Sequence, residues 1–420
     1  MAVKHYGWTK DGELPLLGAH SLAKHEIFER YISIYIDKLT HTWSQERLNL
    51  TIVDGFCGGG SYRMGDSVVD GSPLRLLAAV DAAQTALAIA RSKGFRINID
   101  FHFVDEKKAH LDCLHDLLIQ RGYGDRIGVD IHLTHSAFEA AYPAIRERIK
   151  AKGRANRSLF FLDQFGWSDV RLSTIRDILA ELRSPEIMLT FAVDALIQYL
   201  SEDPKLARAL LGIDLDREDV RDLMAMRDQD GWRYLMQNGI YARICERTKA
   251  KFYTPFFIRS AESNRSYWLL HFSNHRQARD EMGKLHWAVQ NSFSHHGGPG
   301  LNALGFDPSQ DLRQLPMEFT FDDDAERRSE AAVLEQLPKL VHASIGANDA
   351  PPTVEKLFAA NCNDTPVTSD IVKRQLLLLR DEREIILLDK DGRAKPRAVN
   401  IGWDDRIIMP AQRSLLSRFV

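Results

Sequence analysis

Between residues 48 and 272, short apolar runs alternate with longer stretches in which apolar residues recur every three or four positions. The pattern predicts strands over 50–53, 97–104, 130–133, 159–162 and 186–191. Helices over 73–90, 107–120, 137–151 and 172–182 lie between them. Strands separated by helices of this length need crossover connections, which set the strands parallel. The runs LFFL and IMLTF are almost wholly apolar, as a strand covered on both faces requires. The fold class is therefore α/β, a doubly wound and mainly parallel sheet.

The rhythm breaks over 196–250, which is charged and has helical spacing but no strand signal. It reads as a helical insertion in a domain spanning 48–292, which closes with strands over 252–259 and 267–272 and a helix over 278–289. Ahead of it, 1–47 holds an extended arm bearing aromatic residues and a helix over 25–39. The stretch SHHGGPGLNALGFDPSQ marks a linker over 293–329. In 330–420, helices over 331–341, 353–361 and 368–379 precede EIILLDKDGRAKPRAVNI, a hairpin turning at Lys390–Gly392. Three helices and such a hairpin suggest a winged helix-turn-helix.

Composition narrows the classes. Lys+Arg 55 against Asp+Glu 58 gives a net charge of −3, which excludes a globally basic nucleic-acid binder but not a basic face. The 4 cysteines show no C-x-x-C spacing, so a disulfide scaffold and a four-thiolate zinc site both fit poorly and a cytoplasmic setting is expected. Neither a signal peptide nor a membrane span is expected.

The chemistry concentrates at strand ends. LTIVDGFCGGGSY places Asp54, Gly55, Phe56, Gly58 and Gly60 where the first strand leaves the sheet, on the rim that borders a ligand crevice. Glycines there let backbone approach a ligand closely. The loop lacks the G-x-G-x-x-G of a dinucleotide site and the phosphate loop of nucleotide hydrolases. Its D-G-F-x-G-x-G pattern resembles motif I of S-adenosylmethionine-dependent methyltransferases. Asp105 and Glu106 end the second strand, where an acid accepts ribose hydroxyls and where a first-turn acid also favours the next helix. Ser136, Ala137 and Phe138 follow the third strand at the expected adenine position, Ser136 equally suiting a helix cap. Asp163, Gln164 and Phe165 end the fourth. There a carboxylate can accept N–H bonds from an attacking amine and an aromatic can stack on a flipped base. Plugging by Phe165 and helix capping by Asp163 are the competing structural roles.

The ordered set of Lys24–Tyr35, VDGFCGGGSY, GSPL, FLDQFG, FAVDALIQYL and YWLLHFSNHRQARDEMGKLHW resembles the three-Cys-motif partner family of bacterial and phage proteins over roughly residues 20–290. The usual family forms, DGFAGPG and FIDPFG, differ here at Cys57, Gly59 and Gln164. The resemblance implies a Rossmann-like methyltransferase sheet, S-adenosylmethionine as cofactor, and a partner with a three-cysteine motif of radical-SAM type. It leaves two functions open, methylation of a base amino group in DNA or RNA and an inactive fold that binds nucleic acid or the partner.

Two further clusters compete for notice. Cys57 reads as a small side chain against the cofactor rather than a nucleophile, and His271, His275, His286, His295 and His296 match no metal-ligand spacing, so no metal is assigned. In the winged segment, Arg393, Lys395 and Arg397 fall on the hairpin's second arm, and Lys373 and Arg374 lie on the preceding helix. This is a candidate phosphate-binding face, with domain docking as its alternative.

Overall fold

The structure is a computed structural model that describes residues 7–10, 12–42, 44–91, 94–200, 210, 213–226, 232–259, 266–290, 293–295, 301, 319–348, 350–363, 365–397 and 400–410. Two compact units divide the chain, one formed by 1–293 with 308–312 and the other by 294–307 with 313–420.

The first unit begins with α1 (Ala19–Thr40), β1 (Arg47–Asp54), the hairpin strands β2 (Ser61–Met64) and β3 (Ser67–Asp70), and α2 (Ser72–Ala90). It continues through β4 (Arg96–Asp105), α3 (Lys108–Gln120), β5 (Ile131–His135), α4 (Phe138–Ala151), β6 (Asn156–Leu162), α5 (Leu172–Glu181) and β7 (Pro185–Phe191). The five long strands run parallel in the order β5-β4-β1-β6-β7. After β5 the chain returns to the far side of β1, so the order reverses between β1 and β6. That reversal opens a crevice at the carboxyl ends of the strands. Burial is deepest in the middle of the set: Leu50, Ile52, Phe101 and Phe103 have no exposed surface and every residue of β7 is buried, whereas at the edge strand β5 only Ile131 is.

Beyond β7 come α6 (Val193–Tyr199), α7 (Arg217–Ala225) and α8 (Trp232–Thr248), the helical insertion that the charge pattern predicts, although 201–209 lie outside the described residues. Asp216 caps α7 by accepting the Glu218 and Asp219 amides, and Arg247 of α8 bonds both Asp216 and Asp219, pinning the two helices together. β8 (Phe252–Arg259) and β9 (Ser266–Ser273) follow, then α9 (Arg276–Val289). β9 inserts antiparallel between β7 and β8, which restores β8 to the direction of the parallel set.

α1 packs on α2 and α9. Its Tyr31 hydroxyl donates to Glu186 Oε2 at 2.5 Å inside the unit, and His271 Nε2 lies 3.3 Å from the same oxygen. The lead-in helix is thereby fixed to β7 and β9. The histidines grouped in the sequence separate here: His271 serves Glu186, His275 meets Ser184, and His286 stacks on Phe256. Among the described helices, α2 is long and apolar enough to cross a membrane; its Leu74, Leu76, Leu77 and Val80 are buried within this unit.

β10 (Phe293–His295) starts on the last residue of the 1–293 segment, and its Ser294 and His295 pair with β11 (Phe319–Thr320). The second unit then contains α10 (Asp323–Asn348), α11 (Val354–Asn361), α12 (Ser369–Asp381), β12 (Ile386–Leu388) and β13 (Arg406–Ile408). Most of the predicted linker, 296–300 and 302–318, lies outside the described residues. Thr353 caps α11 through the Lys356 amide, and Val354, Leu357, Ile371, Leu376 and Leu379 bury the helix-turn-helix core. The hairpin differs from its predicted form. It turns at Lys390–Gly392, with the Asp389 amide donating to Arg393 O, yet its second arm contributes only the Leu388–Ala394 bridge. The main partner of β12 is β13, twenty residues further on.

Truncating the central strand tests this core. Ile52→Ala removes a side chain with no exposed surface and is expected to cost about 2–5 kcal/mol, measured as a lower denaturant midpoint with unchanged circular dichroism.

Candidate active site

The chain leaving β1 is stitched to both neighbouring strands. The Gly55 amide donates to Phe161 O of β6 at 2.9 Å, and two residues later the Cys57 amide donates to Val104 O of β4 at 3.0 Å. This carries the glycine loop across the crevice and brings Asp54, Asp105 and Asp163 to neighbouring strand ends.

Asp54 is buried. Its Oδ1 accepts the Phe56 amide at 3.2 Å, while Oδ2 has no hydrogen-bond partner. Burial pushes this carboxyl up to about 7, against hydrogen bonding from Ser72 and the Phe56 amide. Asp105 is better satisfied. Oδ2 accepts the Gly58 amide at 3.0 Å and Oδ1 the Lys107 amide at 2.8 Å, with His110 Nδ1 3.0 Å from Oδ1 but not aligned as a hydrogen bond. The carboxylate therefore joins the glycine loop to the start of α3, as its competing structural role requires. Glu106 is exposed, and its charge acts with burial to raise Asp169.

The glycines are packed by the chain's own side chains. A Cβ at Gly58 would meet the Trp8 ring at 2.8 Å, and one at Gly59 would meet it at 2.2 Å. At Gly60 a Cβ would strike Leu114, and at Gly55 it would strike Leu162 and Phe138. Gly58 and Gly60 also hold φ of 62° and 85°, where glycine is favoured on backbone grounds alone. Trp8 is 5% exposed, donates to Ser61 O at 2.6 Å and packs edge-on to Tyr62 and His110. The expectation that these glycines stand open to a ligand is corrected: the arm covers Gly58 and Gly59.

Phe138 also needs correction. At 2% exposure it supports the loop from below, between Gly55 and Tyr142, and offers no face to a nucleobase. Ser136 turns its hydroxyl to Ala137 O, and Ala137, not Ser136, is the N-cap of α4.

At the end of β6, Asp163 Oδ1 accepts from Lys24 Nζ of α1 at 2.5 Å, with the lysine side chain 7% and the aspartate side chain 23% exposed. Burial works to raise this carboxyl, but the ammonium outweighs it and holds Asp163 below the usual carboxylate range. Beside Lys24, burial lowers His25 to about 4, so its ring is neutral at pH 7. Gln164 is buried; its Oε1 accepts the Asp169 amide at 2.9 Å and its Nε2 has no partner. Phe165 keeps 55% of its surface exposed at the rim. Burial also raises the Cys57 thiol well above its ordinary range, so it is protonated and unsuited to nucleophilic attack.

In the second unit the expected basic face is partly consumed. Arg374 pairs with Glu326 and Glu330 of α10, Lys373 lies 4.2 Å over the Trp403 ring, and Lys395 is bonded to Asp405 and Asn400 O. Arg393 and Arg397 are exposed.

Residues 305–392 match the family described as the GMT-like wHTH domain, and no curated protein matches the chain. Among solved structures, protein LPL1258 from Legionella pneumophila is similar at TM-score 0.37 and 11% identity, over 64% of this chain and 90% of that one. The SAM-dependent methyltransferase from Agrobacterium tumefaciens gives TM-score 0.31 and 11% identity over 60% and 62% of the two chains. SMU.1697c from Streptococcus mutans, solved in complex with SAH, gives 0.27 and 10% over 59% and 96%.

Two carboxylates of opposite shift give opposite pH signatures. Asp54 binds a proton more tightly folded than unfolded, so the wild type should lose stability relative to Asp54→Asn as pH rises from 3.8 towards 7. Asp163 is depressed, so its advantage over Asp163→Asn should be full above 3.8 and fade as pH falls below it. Unfolding midpoints of the variants across this range check both signs.

Proposed function

We propose that the first unit is an S-adenosylmethionine-dependent methyltransferase domain of the three-Cys-motif partner type, acting on an amino group of a DNA or RNA base that the second unit helps to hold. One observation carries this reading. A buried aspartate with an unpartnered oxygen stands at the switch point of a doubly wound sheet, one strand from Asp105 and one from Asp163. Asp54 Oδ2 has no partner in hydrogen-bond geometry, although Ser72 stands close enough to hold the carboxyl down, and an amino-acid ammonium would complete it. The fit is narrower at the glycines, where Trp8 covers Gly58 and Gly59; Asp54 is itself buried, and Phe56 and Asp105 are the part-exposed residues beside it.

When bound, the cofactor supplies an electrophilic sulfonium methyl. The chain's part is positional. Asp54 would hold the ammonium, and because burial pushes its carboxyl up to about 7, binding a cation there would release a proton at neutral pH. Lys24 keeps Asp163 ionised, so its second oxygen can accept an N–H from the substrate amine and orient the lone pair. A carboxylate so stabilised is a weak base, which suits a transfer that needs alignment more than proton abstraction. Phe165, exposed at the rim, offers a ring for a flat substrate.

A second reading, a non-catalytic module on the same fold that binds nucleic acid or a three-Cys-motif protein, is favoured by the internal engagement of the site. Lys24 takes Asp163 Oδ1, the Asp169 amide takes Gln164 Oε1, and Trp8 covers two glycines. Four free cysteines suit a reducing compartment under either reading.

Calorimetric titration with S-adenosylmethionine separates the two. The methyltransferase reading expects saturable binding whose heat varies with buffer ionisation enthalpy, and loss of binding in both Asp54→Ala and Asp105→Ala. No heat with the folded wild-type chain rejects it. For the second unit, charge reversal at Arg393 and Arg397 should weaken retention on DNA or RNA and flatten its salt dependence, while Lys373→Ala should change neither. Equal retention of all three proteins contradicts a nucleic-acid role for the wing.

A further inference from the structure

Away from the crevice, in the body of the sheet, β4 and β5 carry a cluster that the proposed function does not use. Asp100 and His102 are two residues apart on β4 and so project from the same face. His132 of β5 is the direct cross-strand partner of His102. One ligand atom from each of the three lies within 4.8 Å of the others, and His132 Nε2 is 3.8 Å from Asp100 Oδ2. Both histidines line a cavity of about 590 Å³, with His115, Ser136 and Arg148 also on its wall.

Two observations bear on what this cluster could hold. His102 is 2% exposed, and its buried Nε2 has no hydrogen-bond partner. Nδ1 of His25, of His110 and of His271 is likewise buried without a hydrogen-bond partner, so the His102 nitrogen is available to a ligand and it is the company of Asp100 and His132 beside a cavity that marks the cluster. Asp100 already binds a cation, because Lys152, the C-cap of α4, contacts its carboxylate. The lysine side chain is 33% exposed and can swing into water, vacating that oxygen.

We propose that Asp100, His102 and His132 form a binding site for a divalent first-row transition-metal ion of zinc or cobalt type, with a coordination position left open towards the cavity. Two imidazoles and one carboxylate suit such ions and disfavour magnesium or calcium, which prefer all-oxygen sets. Three protein ligands leave the fourth position to water or a small anion. The two rings are stacked, with centroids 4.9 Å apart and 29° between their planes, so holding an ion at about 2.0–2.2 Å requires them to turn their nitrogens toward one another. Burial, then the charge of His132, favours the neutral form of His102, and burial does the same for His132; the neutral ring is the ligating form. Arg148 and Lys152 oppose a second positive charge nearby, so displacement of Lys152 is part of binding. An ion here would clamp the edge strand β5 to β4. The inference is independent of the methyltransferase reading.

The test uses the full chain, stripped with chelator and titrated with cobalt(II), following the visible ligand-field absorption and the thermal midpoint. The proposal expects a saturable one-to-one band of tetrahedral intensity and a raised midpoint. His132→Asn should lose both while keeping the wild-type circular dichroism, and His102→Asn should do the same. Lys152→Met, which frees Asp100 and removes a positive charge, should bind cobalt several-fold more tightly. A wild-type protein without the band, a band unchanged in His132→Asn, or weaker binding in Lys152→Met overturns the proposal.

Discussion

The part-buried ion pair between Lys24 and Asp163 ties together parts of the chain that sequence separates by 139 positions. A charge removed from water is tolerated only when an opposite charge and good geometry replace the lost solvation. Here the lysine rides on α1, which is also anchored to β7 by the Tyr31–Glu186 bond, and the aspartate ends β6. The lead-in helix is thus a structural wall of the crevice. Removing either partner leaves the other charge uncompensated, at less than the about 3–5 kcal/mol of a fully buried pair because the Asp163 side chain is 23% exposed, and it disturbs both the electrostatics of the site and the docking of α1.

The same economy governs the glycine loop. Backbone amides that a ligand could use are already bonded: Gly55 to β6, Cys57 to β4 and Gly58 to Asp105. Side chains fill the space that the missing Cβ atoms leave, Trp8 most of all. What stays unsatisfied stands out against this background. Asp54 Oδ2 and Gln164 Nε2 are buried polar atoms without partners near the crevice, and His102 Nε2 is another within the sheet. Folded chains rarely leave such atoms without a reason.

Much of the architecture was legible from periodicity, because the parallel strands bury both faces and the crossover helices bury one. The strand over 186–191 and the helix over 73–90 match β7 and α2 almost residue for residue. The β2–β3 hairpin was missed although its signal was present. Met64 pairs with Ser67 across the two-residue loop Gly65–Asp66, with Gly65 at φ 59°, and a Gly-first loop is a hairpin turn. The site was legible only as far as strand ends could be counted. Asp54, Asp105 and Asp163 follow from that count, but Lys24 and Trp8 reach them through tertiary contacts that no local pattern encodes. Phe138 was misread for the converse reason: its position after β5 is right, yet it is turned into the core. Asp100, His102 and His132 are spread over two strands, and only their register brings them together.

The central claim is that the crevice beside Asp54 receives a charged nucleoside amino acid, and a crystal structure of the full chain grown with S-adenosylhomocysteine tests it most directly. The account predicts the ligand's ammonium on the Asp54 carboxylate and its ribose hydroxyls beside Asp105, with Trp8 either retained as a wall or displaced from Gly58. A ligand-free crevice at saturating concentration, or a ligand bound with Asp54 Oδ2 still lacking a donor, would contradict it.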